Sequence, residues 1–264
     1  MTIALRYLRD RRRWLSWWAV GVVGFVFMTV SFYPAIKGQT TFDDLFKDLP
    51  EGAKALVGAT GLSLSSPAGY LHSQLFTSLL PMGLLIFAIG TGARAIGGSE
   101  DDGTLEFLLA NPVSRTHVAV ERSLGTLGLT TILGTVATAA VVALSAPFQL
   151  LEGVSILNLL AACAAALCLA LFHGSLAFAI GATTGGRARA LAIASAVAVG
   201  GYVVFGLVSA GVIEGSRFVV PWYWYLNRNI VADGPGLESL LVPLGFTVVF
   251  TAIGVWRFGP RDLH

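Results

Sequence analysis

Six long apolar runs, none holding an Asp or Glu, divide this sequence: residues 14–33, 71–95, 124–144, 156–182, 191–213 and 240–256. A helix needs about 20 mainly apolar residues to cross the hydrocarbon core, and a charge at mid-bilayer costs roughly 2.5–3.5 kcal/mol on insertion scales. Clearing charge over this length is therefore the pattern of lipid-embedded helices; Arg94 sits at one end of its run. With 55% hydrophobic and 12% charged residues in 264, no room remains for a large soluble domain. The runs predict an all-α, polytopic membrane protein of six transmembrane helices forming one transmembrane domain over residues 1–264. The first run follows a basic start as a signal peptide would, but it is long enough to span and no small-x-small cleavage site clearly follows, so it reads as a retained anchor. The last run is the shortest.

Orientation follows from the basic residues, because Lys and Arg collect on the cytoplasmic side. An even number of spans groups the N-terminus, the second and fourth connections and the C-terminus. That group holds Arg6, Arg9, Arg11, Arg12, Arg13, Arg94, Arg115, Arg122, Arg187, Arg189, Arg257 and Arg261, against Lys37, Lys47, Lys54, Arg217 and Arg228 on the other side. Both termini are therefore expected in the cytoplasm. Trp14, Trp17 and Trp18 would form an inner aromatic belt, and Trp222, Tyr223, Trp224 and Tyr225 an outer one. A formal net charge of +2 gives no reason to expect nucleic acid as a partner. Cys163 and Cys168 share one apolar run and suggest neither a disulfide framework nor a metal site.

Two connections are informative. In the outer one, residues 34–70, Phe42, Leu45, Phe46 and Leu49 recur at helical spacing, which predicts an amphipathic helix along the outer surface; it either packs over the bundle or serves as an outer gate. Ser65 and Ser66 before Pro67 supply a start for the second span. A second outer connection covers residues 214–239. In the cytoplasmic connection, residues 97–122, Asp101 or Asp102 can cap a short helix whose Leu105, Leu108 and Leu109 share a face. Asn111 and Pro112 stop it, and Ser114 caps the helix that becomes the third span. The result is a compact helical knob, which is either a solvated turn or a contact surface.

Small residues mark close packing. Ala166, Ala170, Gly174, Ala177 and Gly181 form a smooth strip on the fourth span, and Gly128, Thr131, Thr135 and Thr138 form a similar one on the third. His173 falls in the first strip. It reads either as a neutral histidine bonded to a neighbouring helix or as a group lining a translocation path, and Thr131 and Thr135 are further candidates for that path.

The segment EDDGTLEFLLANPVSR, residues 100–115, resembles the signature of permease subunits of ABC-2 type ATP-binding cassette exporters. The basic opening RYLRDRRRWLSWW, the outer LPEGAKALVG and SSPAGYLHSQLF, the aromatic PWYWYLNRN and the terminal WRFGPRDL extend the likeness over nearly the whole chain. It is nearest to six-span permeases of antibiotic and multidrug export, and more distant from the permease of nitrous-oxide reductase maturation. The resemblance implies a bacterial cytoplasmic membrane subunit, paired as a homodimer or with a similar permease. A separate ATPase subunit would carry the ATP and magnesium, with no cofactor in this chain.

It further implies that Glu100, Gly103, Thr104, Leu105, Glu106, Leu108, Leu109, Pro112, Ser114 and Arg115 belong to the ATPase-coupling region. Arg6, Arg9, Arg11, Arg12 and Arg13 match an amphipathic helix on the inner surface, residues 1–13; arginines there would also attract anionic lipid at about 1 kcal/mol each. The substrate implied is hydrophobic or amphiphilic: a drug, a lipid or a peptide. The sequence has no G-x-x-x-x-G-K-[ST] phosphate loop, and no Asp or Glu lies within the spans to relay ions. An ion-coupled carrier is thereby disfavoured, and a membrane scaffold or sensor of the same fold is the alternative.

Overall fold

A computed structural model describes residues 3–39, 49–59, 63, 65–110, 113–213 and 219–261. Among them there is no strand. A short helix α1 (Ile3–Asp10) precedes α2 (Arg12–Ser31) and its one-turn extension α3 (Tyr33–Ile36). Next come α4 (Glu51–Leu56), the long α5 (Pro67–Asp101) and the short α6 (Thr104–Leu109). Then follow α7 (Arg115–Ser145), α8 (Ile156–Thr184), α9 (Arg187–Ser209), the short α10 (Pro221–Leu226) and α11 (Glu238–Phe258). Six of these units, α2 with α3, α5, α7, α8, α9 and α11, are long and apolar enough to cross a membrane. The sixth run, short in sequence, is a helix of 21 residues.

Local chemistry sets the ends. Ser66 caps α5, accepting from Gly69 N at 3.1 Å, and Pro67 occupies its first turn. Ser114 caps α7, accepting from His117 N at 3.2 Å. The capping expected of Asp101 or Asp102 does not occur: the cap of α6 is Gly103, in the left-handed region at φ 67°. That conformation turns the chain sharply out of α5, which a side chain at this position would resist. α5 itself contains two stretches of wider π-helical turns, Leu71–Leu79 and Arg94–Gly98.

The bundle is built around α8. Ala166, Ala170, Gly174, Ala177 and Gly181 are all buried, as their spacing predicts. A Cβ on Gly174 would meet both the Cβ and the carbonyl oxygen of Ala88 in α5 at 3.1 Å, so the backbones approach closely only because that side chain is absent. On another face of α8, a Cβ on Gly254 of α11 would meet Ala179 Cα at 3.1 Å. The strip on α7 is different. Gly128 faces Leu8 and Thr138 donates to Gly134 O at 2.9 Å, but Thr131 and Thr135 are exposed.

The outer aromatics also differ from expectation. Trp222, Trp224 and Tyr225 do not form a surface belt; they are buried, and α10 folds back among the spans. Trp222 Nε1 donates to Ala198 O at 2.8 Å, and Tyr225 Oη donates to Phe76 O at 2.9 Å. Ala198 is the midpoint of α9, roughly 16 Å from either end at 1.5 Å per residue, so the Trp222 indole meets α9 about halfway along its length. Buried Trp and Tyr find hydrogen-bond partners for their polar tips, and here those partners are span carbonyls. Near the start of α2, Trp14 stacks on Phe87 at 4.6 Å and Trp18 meets the same ring edge-on at 5.6 Å, while Trp17 is exposed.

In the outer connection, Phe42, Leu45, Phe46 and Lys47 lie outside the described residues. The described part, α4, packs over the bundle against α9: Gly52 and Ala55 are buried, and Tyr202 Oη of α9 donates to Leu56 O. Arg217 also lies outside the described residues.

Candidate functional site

The even number of spans brings α1, the α5–α6–α7 connection, the α8–α9 turn and the end of α11 to one face. α7 rises first from that face. Its 31 residues measure about 46 Å, against about 30 Å of hydrocarbon, so its opening turns stand outside the apolar layer. Leu105 is 1% exposed and joins Ile96, Val118, Ala119, Phe178 and Phe258 in a small apolar cluster, with Leu108 packed against its edge. This cluster fixes α6 to α5, α7, α8 and α11 together.

Polar contacts complete the attachment. Arg261 Nη2 donates to Glu100 Oε2, an ion pair whose side chains are 15% and 11% exposed. Arg115 Nη1 donates to the Arg261 carbonyl. Asp101 Oδ2 accepts from the Arg187 backbone N at 3.1 Å, which ties the connection to the start of α9. Thr104 Oγ1 donates to Ser99 O at 3.1 Å across the Gly103 turn. Glu100 and Arg115 are therefore engaged within the chain rather than presented outward. Gly103, Thr104, Glu106 and Ser114 are exposed. Leu109 belongs to α6, and Pro112 lies outside the described residues.

Beside them stands Phe107, 79% exposed on α6, which the sequence reading did not single out. Its signal was available: Leu105, two residues before it, and Leu108, one after it, are three apart and share the inward face, which leaves Phe107 on another side of the helix.

α1 is held against α7. Ala4 N donates to Glu121 Oε2 at 2.8 Å. Tyr7, 4% exposed, fills the space opposite Gly125, and its ring lies between the guanidinium carbons of Arg11 and Arg122 at 4.7 and 4.8 Å. Arg6, Arg9, Arg12 and Arg13 remain exposed, with Arg12 and Arg13 opening α2. Tyr7 was missed in the sequence because its five arginine neighbours dominate the segment.

The three residues proposed for a path are not brought together. His173 is 0% exposed in the core of α8, with Nδ1 2.9 Å from Leu169 O of its own helix rather than bonded to a neighbouring one. Thr131 and Thr135 sit on the outer surface of α7, where Thr135 donates to Thr131 O at 2.9 Å. Two apolar clefts instead flank α5. One, about 630 Å³, runs between α2 and α5 past Trp17, Gly21, Phe25, Gly83 and Ile86; the other, about 220 Å³, lies between α5 and α9 beside Ile89, Ser195 and Val199. Gly83 and Gly90 of α5 face open space. Among the described residues, no cluster of His, Cys, Asp and Glu could hold a metal ion.

A comparison with curated proteins gives no significant match. The family model described as ABC-2 family transporter protein matches residues 1–263. A bundle of six candidate spans, with its connections braced at one face, fits a permease subunit, and the chain belongs to the ABC-2 family of transporter proteins.

Proposed function

We propose that this chain is the membrane-spanning subunit of an ATP-driven exporter in a bacterial cytoplasmic membrane, with both termini inside. It would move a hydrophobic or amphiphilic substrate outward, coupled to a separate ATPase that carries the ATP and magnesium. Family membership supports the pairing. The observation that carries the reading is α6: it exposes Phe107 and Glu106 while Leu105 packs it into the cluster of α5, α7, α8 and α11, and Glu100 and Asp101, at the end of α5 beneath it, hold Arg261 and the start of α9. A push on such a knob reaches five of the six spans without first deforming a loose loop.

In energetic terms, ATP binding at the partner must favour one permease state, and the knob conveys that preference. The apolar clefts beside α5 offer a substrate path and a surface for a second permease, either an identical copy or a similar chain. His173, inside the core of one chain, packs α8 in this reading. The test is affinity purification of the tagged chain from its native membrane, with mass spectrometry of what it retains. An ATPase bearing G-x-x-x-x-G-K-[ST] is expected in the retained set. Intact chain recovered repeatedly without such a protein would overturn the proposal.

A further inference from the structure

Along α5 from Leu79 to Arg94, the positions that are not buried are Leu79, Met82, Gly83, Ile86, Gly90 and Arg94, which fall on one side of the helix. The two apolar clefts lie on either side of this line and share Met82 and Ile86, so one bared ridge separates two slots. On α2 the larger slot runs from Trp14 to Val26, about 18 Å at 1.5 Å per residue, against about 15 Å for half of the hydrocarbon core. A slot of that length matches one acyl chain of one leaflet.

The ridge ends in charge. A Cβ on Gly98, one turn beyond Arg94, would lie 3.2 Å from Arg94 Cγ and 3.5 Å from Arg187 Cδ, so side chains from α5 and α9 converge over that glycine. The Arg94 stem thus runs along the helix toward α6, away from the apolar slots, as a snorkelling arginine does. Arg187 stands one helical turn before Leu191, which lines the narrower slot. Neither arginine makes an ion pair among the described residues, and the neighbouring acids are engaged: Glu100 pairs with Arg261, and Asp101 accepts from the Arg187 backbone N–H. Two like charges brought together at the mouths of apolar slots call for an anion between them. A second copy set on this ridge about an axis along the membrane normal would bring its own Arg94 and Arg187 to the same level, so the need for an anion persists with or without that copy.

We propose that this ridge binds an anionic two-chain phospholipid. The phosphate bridges the guanidinium groups of Arg94 and Arg187, and one acyl chain lies in each slot, astride Ile86. Binding needs no nucleotide and no ATPase, so it stands or falls separately from the export reading.

The test is native mass spectrometry of the purified full chain, titrated in detergent with dioleoyl phosphatidylglycerol, with dioleoyl phosphatidylcholine and inorganic phosphate as comparators. Preferential retention of phosphatidylglycerol is expected, weakened about tenfold or more in a variant combining Arg94→Gln and Arg187→Gln. Arg189→Gln, which removes an exposed arginine of the same face, should leave binding unchanged and so separates this site from general attraction of anionic lipid to basic residues. Gly83, where a Cβ would meet nothing within 4 Å, accepts a larger side chain, and Gly83→Leu should weaken binding by filling the wider slot. Equal retention of phosphatidylcholine, undiminished binding by the double variant, an equal loss in Arg189→Gln, no effect of Gly83→Leu, or displacement of the lipid by an equal concentration of inorganic phosphate would overturn the proposal.

Discussion

The guanidinium of Arg261 meets the carboxylate of Glu100, joining the chain just past α11 to the end of α5 across 161 residues of sequence. Both side chains are largely buried. Removing one partner leaves the other charge without compensation, which in buried pairs costs about 3–5 kcal/mol. Glu100→Ala and Arg261→Ala should each lower the thermal midpoint of the purified chain clearly. The double variant should recover part of the loss, because no unpaired charge remains; a double variant as unstable as the sum of the singles would show that the pair is not the coupled unit described.

Tyr7 gives a separate expectation. Its ring is gripped by Arg11 and Arg122 and fills the surface at Gly125, so Tyr7→Ala should release α1 from α7 at a cost of about 1–2 kcal/mol from the cation contacts. Proteolysis at the α1–α2 junction reads this directly: faster cleavage after Arg9 and Arg11 is expected, while Tyr7→Phe, which keeps the ring, should be cleaved as slowly as wild type.

Close packing of α8 on α5 is tested at Gly174. A valine there must push the helices apart, and overpacking of this kind costs typically 1–3 kcal/mol. Gly174→Val should lower the thermal midpoint, whereas Thr135→Val, at the exposed face of α7, should leave it nearly unchanged.

Trp222 and Tyr225 should behave as structural residues. Tyr225→Phe leaves the Phe76 carbonyl without its donor in the bundle and should cost about 1–3 kcal/mol, seen as a lower thermal midpoint. A residue serving only as an interfacial anchor would tolerate the change.

The spans were legible because exclusion of charge over a membrane thickness is a one-dimensional signal, and the caps Ser66 and Ser114 were legible because they act within four residues. The α8 strip followed from helical periodicity alone. What stayed hidden depended on depth and on distant partners. Trp222 and Tyr225 read as a belt because aromatics near a span end suit the interface; only the fold-back of α10 places Ala198 and Phe76 carbonyls within reach. Glu100 and Arg115 looked like contact residues because nothing in sequence announces Arg261 as their neighbour. Thr131 and Thr135 share the spacing of a packing face, yet periodicity does not say which face meets another helix.

The coupling role of α6 is the central claim, and Phe107 tests it most directly. Cys163 and Cys168 are both buried, so a Phe107→Cys variant would carry one accessible thiol among the described residues. A photo-activatable maleimide placed there should cross-link this chain to its ATPase in native membranes. Phe107→Ala should weaken ATPase association about tenfold or more without lowering the thermal midpoint, as expected of an exposed aromatic anchor. A variant lacking this ring that retains its ATPase as tightly as wild type, together with no cross-link from position 107, would contradict the account.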